Sequence, residues 1–388
     1  MDKTFLTTSC SLFREKFGSD PTAGAAAPGR VELLGNHTDY NGGFILASAV
    51  DRRVWMAGKR LPEPKIQLVS ETFDEKVSLA ITDLKPRGHW SDYVAGVVKE
   101  LLDAGVRVEG FQAVLAGDLP AGSGLSSSAG LEMATARLIQ SLYPYEMPPM
   151  ELAKLGQRAE NDFVGMPCGL MDQFCTVFGR EKCFLFLDCR SLEHQALPLG
   201  EKAPEIVVCN SMVQHALVDG EYKARREQCM AAAAFFNDRL DHLVELLRDV
   251  SVSELEAHAT DLDETTAKRA RHIVNDNQRV LDAVESLRAG DVSGMAARMQ
   301  ASHNSSRDLF ENSCPELDLL VSLAADAPGY LGAKLSGGGF GGCTVNLVES
   351  GRGREFADFI GPKFKQRTGN KPQIHLCRPG PGAQTWTL

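Results

Sequence analysis

The chain has 388 residues, with 41 basic and 51 acidic side chains and a net charge of −10. Hydrophobic residues make up 43% and charged residues 24%, which suits folded domains of about 150 residues each and excludes disorder, collagen-like repeats and disulfide-dense miniproteins. The acidic balance leaves no basic footprint for nucleic acid or an anionic membrane, so an anionic ligand has to be held by local devices.

The first residues, Met1 to Leu6, lack a basic stretch followed by an apolar one, so no signal peptide is expected. No apolar run approaches the ~18 residues of a spanning helix. Ten cysteines run from Cys10 to Cys377 without a C-x-x-C pair and read as reduced, mostly buried thiols. Together these features predict a cytoplasmic chain. In that setting the two glycosylation sequons, at Asn36 and Asn304, are chance matches.

In chain order, residues 28–43 form a polar cluster, Pro28-Gly29-Arg30-Val31-Glu32-Leu33-Leu34-Gly35-Asn36-His37-Thr38-Asp39-Tyr40-Asn41-Gly42-Gly43. Strands are predicted over 44–57 and 111–116. A Gly/Ser loop over 117–129 leads into a helix over 126–142, marked by Leu131, Ala134, Leu138 and Leu142. A second helix over 150–164 carries Glu160, and Asp172 follows in an apolar setting. Pro198, Gly200 and Pro204 suggest a boundary near 190–205, with a buried strand over 204–209. Helices are predicted from Tyr222 to about Leu247 and from Thr265 to Arg288. The glycine cluster 336–342 precedes a strand, Cys343 to Val348. The order is not a clean βαβ alternation, which favours α+β over a doubly wound sheet.

The loop Gly122-Ser123-Gly124-Leu125-Ser126-Ser127-Ser128 is chemically a phosphate cradle. Glycines admit close backbone approach, the following helix offers unpaired N–H groups, and Ser hydroxyls can donate or ligate Mg²⁺. No Gly-Lys-Ser/Thr follows, so it is not a Walker A loop, and a plain loop ending in Ser caps is the competing reading. Gly337, Gly339 and Gly342 spell G-x-G-x-x-G, but a strand rather than a helix follows, which argues against a dinucleotide site and for a structural loop at Gly337, Gly338 and Gly339. Arg30, Asn36, His37 and Asp39 have the chemistry to grip a polyol, although a polar turn explains the segment equally well. An Asp at 172 beside an Arg would stay ionised and accept a proton from a hydroxyl; a helix cap is the plain alternative.

Three motifs, Gly29–Gly43, Pro120–Ala129 and Ser336–Cys343, together with Gly169–Gln173, Arg269–His272 and Cys314–Asp318, resemble the galactokinase family. That family lies within the sugar and small-molecule kinases that include homoserine, mevalonate and phosphomevalonate kinases. The resemblance covers nearly the whole chain. It implies a two-lobed α+β fold, with a ribosomal-protein-domain-like lobe over 1–195, a ferredoxin-like lobe over 196–388 and the active site between them. It implies ATP-dependent phosphorylation of the C1 hydroxyl of galactose, the first step of galactose use by the Leloir pathway. Asp172 falls at the catalytic carboxylate and Arg30 at the arginine that orients it. Asn36, His37, Asp39, Gly169 and Tyr222 fall at sugar contacts. Gly122 to Ser128 and Trp90, with Tyr93 nearby, fall on the ATP side, and Ser128 and Glu160 fall at Mg²⁺ ligands. The implied partners are a small sugar and ATP, with no nucleic acid and no membrane; a monomer is the working expectation.

The resemblance departs at Asn36, where galactokinases usually carry Glu in contact with the sugar's C6 hydroxyl. An amide there no longer repels a C6 carboxylate, so a kinase for galacturonate or another C6-variant sugar is the alternative, with galactose favoured by the other matching positions. A non-catalytic galactose sensor on the same fold is a further alternative. Sensor-type relatives lack part of the Ser-Ser-Ala run, which is present here as Ser127, Ser128 and Ala129.

Overall fold

A computed structural model describes residues 4–214 and 218–388. Its elements in chain order are α1 (Thr4–Phe17), β1 (Ala23–Leu34), β2 (Phe44–Arg60), β3 (Lys65–Ser70), β4 (Glu75–Ala80), α2 (Ser91–Asp103), β5 (Phe111–Gly117), α3 (Ser127–Leu142), α4 (Pro149–Arg158), α5 (Met171–Phe178), β6 (Cys183–Asp188) and β7 (His194–Pro198). There follow β8 (Glu205–Gln214), α6 (Val218–Asn237), α7 (Val252–His258), α8 (Glu264–Arg288), α9 (Val292–Ser305), α10 (Pro315–Ala325), β9 (Tyr330–Ser336), β10 (Gly341–Val348), α11 (Gly353–Thr368), β11 (Gln373–Cys377) and β12 (Gln384–Thr387). The chain is α+β, as the irregular order of elements predicted.

Two compact units interleave along the sequence. One comprises 1–30, 49–180 and 380–388; the other comprises 31–48 and 181–379. In the first, strands follow the order β12-β1-β2-β5-β3-β4. The last strand of the chain closes on the first, with Ala23 opposite Thr387 and Ala26 opposite Gln384. The core between this sheet and α2, α3 and α4 holds Met56, Ile66, Val97, Phe111, Leu138 and Leu155. The small residues Ala25 and Ala27 of β1 are fully buried in that core.

The second unit has an antiparallel four-stranded sheet in the order β11-β8-β10-β9. Helices α10 and α11 pack on it through Leu320, Val321, Phe356, Ile360 and Phe364. Strand β10 is buried along nearly its whole length, which is why Cys343 to Val348 reads as an apolar run. The same unit contains β6 and β7, with β6 pairing to Phe44–Ala47. Asp263 caps α8 by accepting from the Thr266 amide, and Ser251 and Glu254 form a capping box on α7.

Helix α6 stops at Asn237, ten residues before the Leu247 expected from its Ala-rich, charged pattern. The Asn237 side chain accepts from the Val244 amide at 3.0 Å and turns the chain back without any Gly or Pro to announce it. The helix expected over 150–164 is α4 followed by a wider, i→i+5 turn over Ala159–Val164. No described helix is long and apolar enough to cross a membrane. Six of the ten cysteines are buried.

Candidate active site

In the first unit, β5 ends at Gly117. Its φ of +142° is open to glycine alone, and a Cβ added there would lie 2.2 Å from the Arg53 carbonyl oxygen. The loop then passes Gly122 and Gly124, both left-handed, and Ser123, whose hydroxyl donates to the Pro120 carbonyl at 2.9 Å. Arg30 ties this loop to β1. Its backbone N–H donates to the Leu125 carbonyl at 3.0 Å, and Nη1 donates to the Gly124 carbonyl at 3.0 Å. Leu125 is fully buried. Ser127 and Ser128 open α3, so the loop delivers the helix's N-terminal amides to whatever binds there.

The same guanidinium holds Asp172, in the first turn of α5, by two bonds. Nε donates to Oδ1 at 2.7 Å and Nη2 donates to Oδ2 at 2.8 Å. This fork geometry fixes both distance and plane of the carboxylate. Ser126 adds a third bond, its hydroxyl donating to Asp172 Oδ2 at 2.6 Å. Ser126 does so from a φ of +52°, a left-handed conformation that costs an L-residue free energy and clusters at functional sites. The structure thus brings Arg30, Ser126 and Asp172 together.

Behind them lies a carboxylate group. Gln173 Nε2 donates to Glu132 at 2.9 Å and to Glu160 at 2.7 Å, bridging the two acids. Glu160 stands in the wide turn after α4 and takes a weak bond from Cys168 at 3.5 Å, while the nearby Ser128 hydroxyl favours its ionised form. Burial and the charge of Asp172 push the Glu160 carboxyl upward; burial and Glu160 push Glu132 well upward. Burial and these same carboxylates push the Tyr93 phenol up to about 12. A site where hard oxygen donors crowd and resist ionisation suits a divalent cation. Gly169 lies in the half-buried stretch just before α5. Trp90 precedes α2, stacks on Phe73 with centroids 5.4 Å apart, and donates from Nε1 to Glu75 at 2.8 Å.

In the second unit, the turn after β1 is held from α8. Asp276, fully buried, accepts from the amides of Gly35 at 3.1 Å and Asn36 at 2.9 Å. His272 bonds to the Asn36 carbonyl at 3.1 Å through Nε2 and to the Ser305 hydroxyl through Nδ1. Held in this way, His37 takes a φ of +61°. Burial drives its imidazole down to about 3, so it is neutral at ordinary pH. Its Nε2 faces the Gly338 carbonyl at 3.0 Å and must carry the hydrogen, leaving Nδ1 to accept from the Tyr40 hydroxyl at 2.9 Å. The rings of Tyr222 and Phe310 lie 5.1 and 4.6 Å from it. Asp39 starts a single helical turn over Asp39–Asn41 and is half-buried.

Asn36 is 1% exposed, and its carboxamide is fully engaged. Nδ2 donates to the Gly337 carbonyl at 2.8 Å and to Glu32 at 3.3 Å; Oδ1 accepts from Asn312 at 2.9 Å and Ser306 at 3.4 Å. Gly337 and Gly339 are left-handed, and a Cβ on Gly339 would lie 2.1 Å from the Asn312 carbonyl. Strand β10 follows this loop directly, as expected of a structural loop rather than a dinucleotide site.

Among the residues that sequence reading passed over are Glu132, Gln173, Glu32, Asn312, Lys334 and Asp276. Glu32, Glu132 and Lys334 share one signal, a charged side chain between two apolar neighbours, as Glu132 stands between Leu131 and Met133; Gln173, Asn312 and Asp276 sit beside other polar residues and carry no such mark.

The GHMP kinases N terminal domain matches residues 92–180, the GHMP kinases C terminal domain matches 283–365, and a galactokinase galactose-binding signature matches 11–60. The galactokinases of Actinobacillus succinogenes and Mannheimia succiniciproducens are 41% and 40% identical to this chain over 382 and 379 residues, covering 96% of it and 97% of each relative. The crystal structure of Lactococcus lactis galactokinase complexed with galactose is 32% identical, with a TM-score of 0.91 over 98% of this chain and 100% of that one. A mevalonate kinase at 19% identity and a TM-score of 0.64 shares the fold.

Proposed function

The chain belongs to the galactokinase family, and from that premise we propose that it transfers the terminal phosphoryl group of ATP to the C1 hydroxyl of D-galactose, giving α-D-galactose 1-phosphate. The observation that carries the reading is the forked Arg30–Asp172 pair, set on a Gly/Ser loop that opens a helix. Phosphoryl transfer asks the protein mainly for positioning and charge stabilisation. Asp172, fixed in plane by Arg30 and Ser126, orients the C1 hydroxyl and receives its proton. Arg30 keeps a positive charge beside the reacting oxygens. Residues Gly122 to Ser128 receive the phosphates, with Trp90 on the base side. His37, Asp39, Gly169 and Tyr222 are assigned to the sugar, with the fully engaged Asn36 supporting His37, whose neutral ring of fixed tautomer offers directional contacts without charge.

The oxygen donors Ser128 and Glu160 fit Mg²⁺, because the Ser128 hydroxyl interacts with the Glu160 carboxyl and because burial leaves Glu160 short of positive charge. Bound there, the ion would neutralise phosphate charge. Among the described residues no group of three or more His, Cys, Asp or Glu is arranged to hold a metal.

The test is ADP release with Mg-ATP over galactose, galactosamine, arabinose, glucose and galacturonate. Galactose is expected to be the strongly preferred acceptor. Turnover of galacturonate without galactose overturns the sugar assignment, and binding of galactose without any ADP release overturns the catalytic reading in favour of a sensor.

A further inference from the structure

Asn36 sits in a network whose donors converge on Glu32, from Lys334 on one side and from Asn312 through Asn36 on the other. Lys334, on β9 and fully buried, pairs with Glu32 Oε1, and Glu32 is itself 2% exposed. Glu32 Oε2 then accepts from Asn36 Nδ2, which also reaches the Gly337 carbonyl. Asn36 Oδ1 in turn accepts from Asn312 Nδ2, which also donates to the Gly338 carbonyl at 3.1 Å. Each amide is oriented by two acceptors on its nitrogen, so neither can flip. Asn312 holds the glycine loop once more, since its backbone carbonyl accepts from the Phe340 amide at 2.6 Å, and the same carbonyl occupies the space a Gly339 side chain would need. The Gly338 carbonyl that Asn312 grips is the one that fixes His37 Nε2.

We infer that Glu32, Asn36, Asn312 and Lys334 act as one positioning network, with its single negative charge at residue 32, that sets His37 against the 337–339 loop for the sugar. The inference rests on the galactose reading above and assigns Asn36 an action through His37 and the loop. A carboxylate at 36 would turn two of the four contacts repulsive. One oxygen would face Glu32 Oε2 and the Gly337 carbonyl, and two buried carboxylates would share one lysine. Residues 32 and 36 are therefore coupled: the site takes one acid and one amide, and Glu32→Gln makes Asn36→Glu tolerable because the amide donor is then supplied from 32.

The experiment is a four-member cycle of wild type, Glu32→Gln, Asn36→Glu and the double variant. Galactose affinity is measured by calorimetry, the KM for galactose and for ATP by ADP release, and Tm by scanning. Asn36→Glu is expected to weaken galactose binding by tenfold or more while the ATP KM stays within about twofold, and the double variant is expected to regain about tenfold. A double variant whose loss equals the product of the single losses overturns the coupling. Asn312→Ala gives an independent reading should Asn36→Glu fail to fold. Galactose affinity should fall by about tenfold with the ATP KM unchanged, and a lowered Tm with unchanged galactose affinity overturns the positioning role. Absence of ADP release by the wild type would count against the proposed reaction alone, because the coupling is still read as non-additive Tm values, and additive ones refute it.

Discussion

Replacing Asp172 by Asn removes the proposed proton acceptor while preserving shape, and its cost can be worked from the contacts. The carboxylate accepts from Arg30 Nε at 2.7 Å, Arg30 Nη2 at 2.8 Å and the Ser126 hydroxyl at 2.6 Å. An amide keeps one oxygen, best placed on Nε. Its NH₂ then faces Nη2, donor to donor, while the Ser126 hydroxyl turns to accept. One charge-assisted bond is lost outright, worth about 1.5–3 kcal/mol. The Asp172 side chain is 18% exposed, so water recovers part of this and a stability loss near 1–2 kcal/mol is expected. The kinetic loss is larger. Removing a positioned general base costs about 10²–10⁴ in rate, or roughly 3–5 kcal/mol of barrier. Continuous ADP release should show kcat reduced by at least about 100-fold, calorimetry should show galactose affinity little changed, and scanning should show Tm lowered by a few degrees. A kcat within about fivefold of wild type would remove Asp172 from the proton transfer and refute the reasoning.

Two other perturbations separate chemistry from structure. Ser126→Ala and Ser126→Gly both remove the bond to Asp172, but only Gly relieves the left-handed φ, worth roughly 1–2 kcal/mol. The two variants should share one kcat defect while Ser126→Gly melts higher, and equal Tm values would mean that the left-handed conformation is not retained. His272 is held neutral by burial, which lowers it from 6.5 to about 4. The unfolded chain gains a proton as pH falls below about 6.5 and the native chain does not, so stability is fully present above 6.5 and is lost toward pH 4, at up to about 1.4 kcal/mol per pH unit. His272→Gln lacks this dependence. Denaturant unfolding should therefore show the gap between wild type and variant narrowing from pH 7 to 4.5, and a constant gap would refute the buried neutral state.

Strands and helices with an unbroken period were legible in the sequence. The strands over 44–57 and 111–116 and the helices over 126–142 and 265–288 fall where their periodicities place them. The end of α6 was not, because a single Asn237 side chain reverses the chain where composition continues unchanged. In the site, the residue types of the Gly/Ser loop have the chemistry of a phosphate cradle, with a plain loop ending in Ser caps as the competing reading. The Arg30–Asp172 pair spans 142 positions, and no local pattern connects two such residues; family likeness alone joins them. Ser126 reads as a helix cap, and nothing in its neighbours signals a left-handed backbone. Gln173 looks like an ordinary helix residue until two buried acids meet at its nitrogen. Interactions closed by tertiary contact are what a linear reading leaves out.

Two helices finish in the same unusual way. Ala159–Val164 and Ser306–Phe310 are wide i→i+5 turns, closed by the left-handed residues Gly165 and Glu311. The first presents Glu160 and the second supplies Ser306 and leads into Asn312. A turn of this kind behaves as a one-residue insertion stored within a helix. Deleting a residue there would make each helix more regular by its own hydrogen-bonding rules, while rotating Glu160 or Asn312 out of register with its partners. These two stretches are therefore places where length, more than composition, is constrained: point substitutions at their exposed positions should be absorbed, whereas a change of a single residue in length should not.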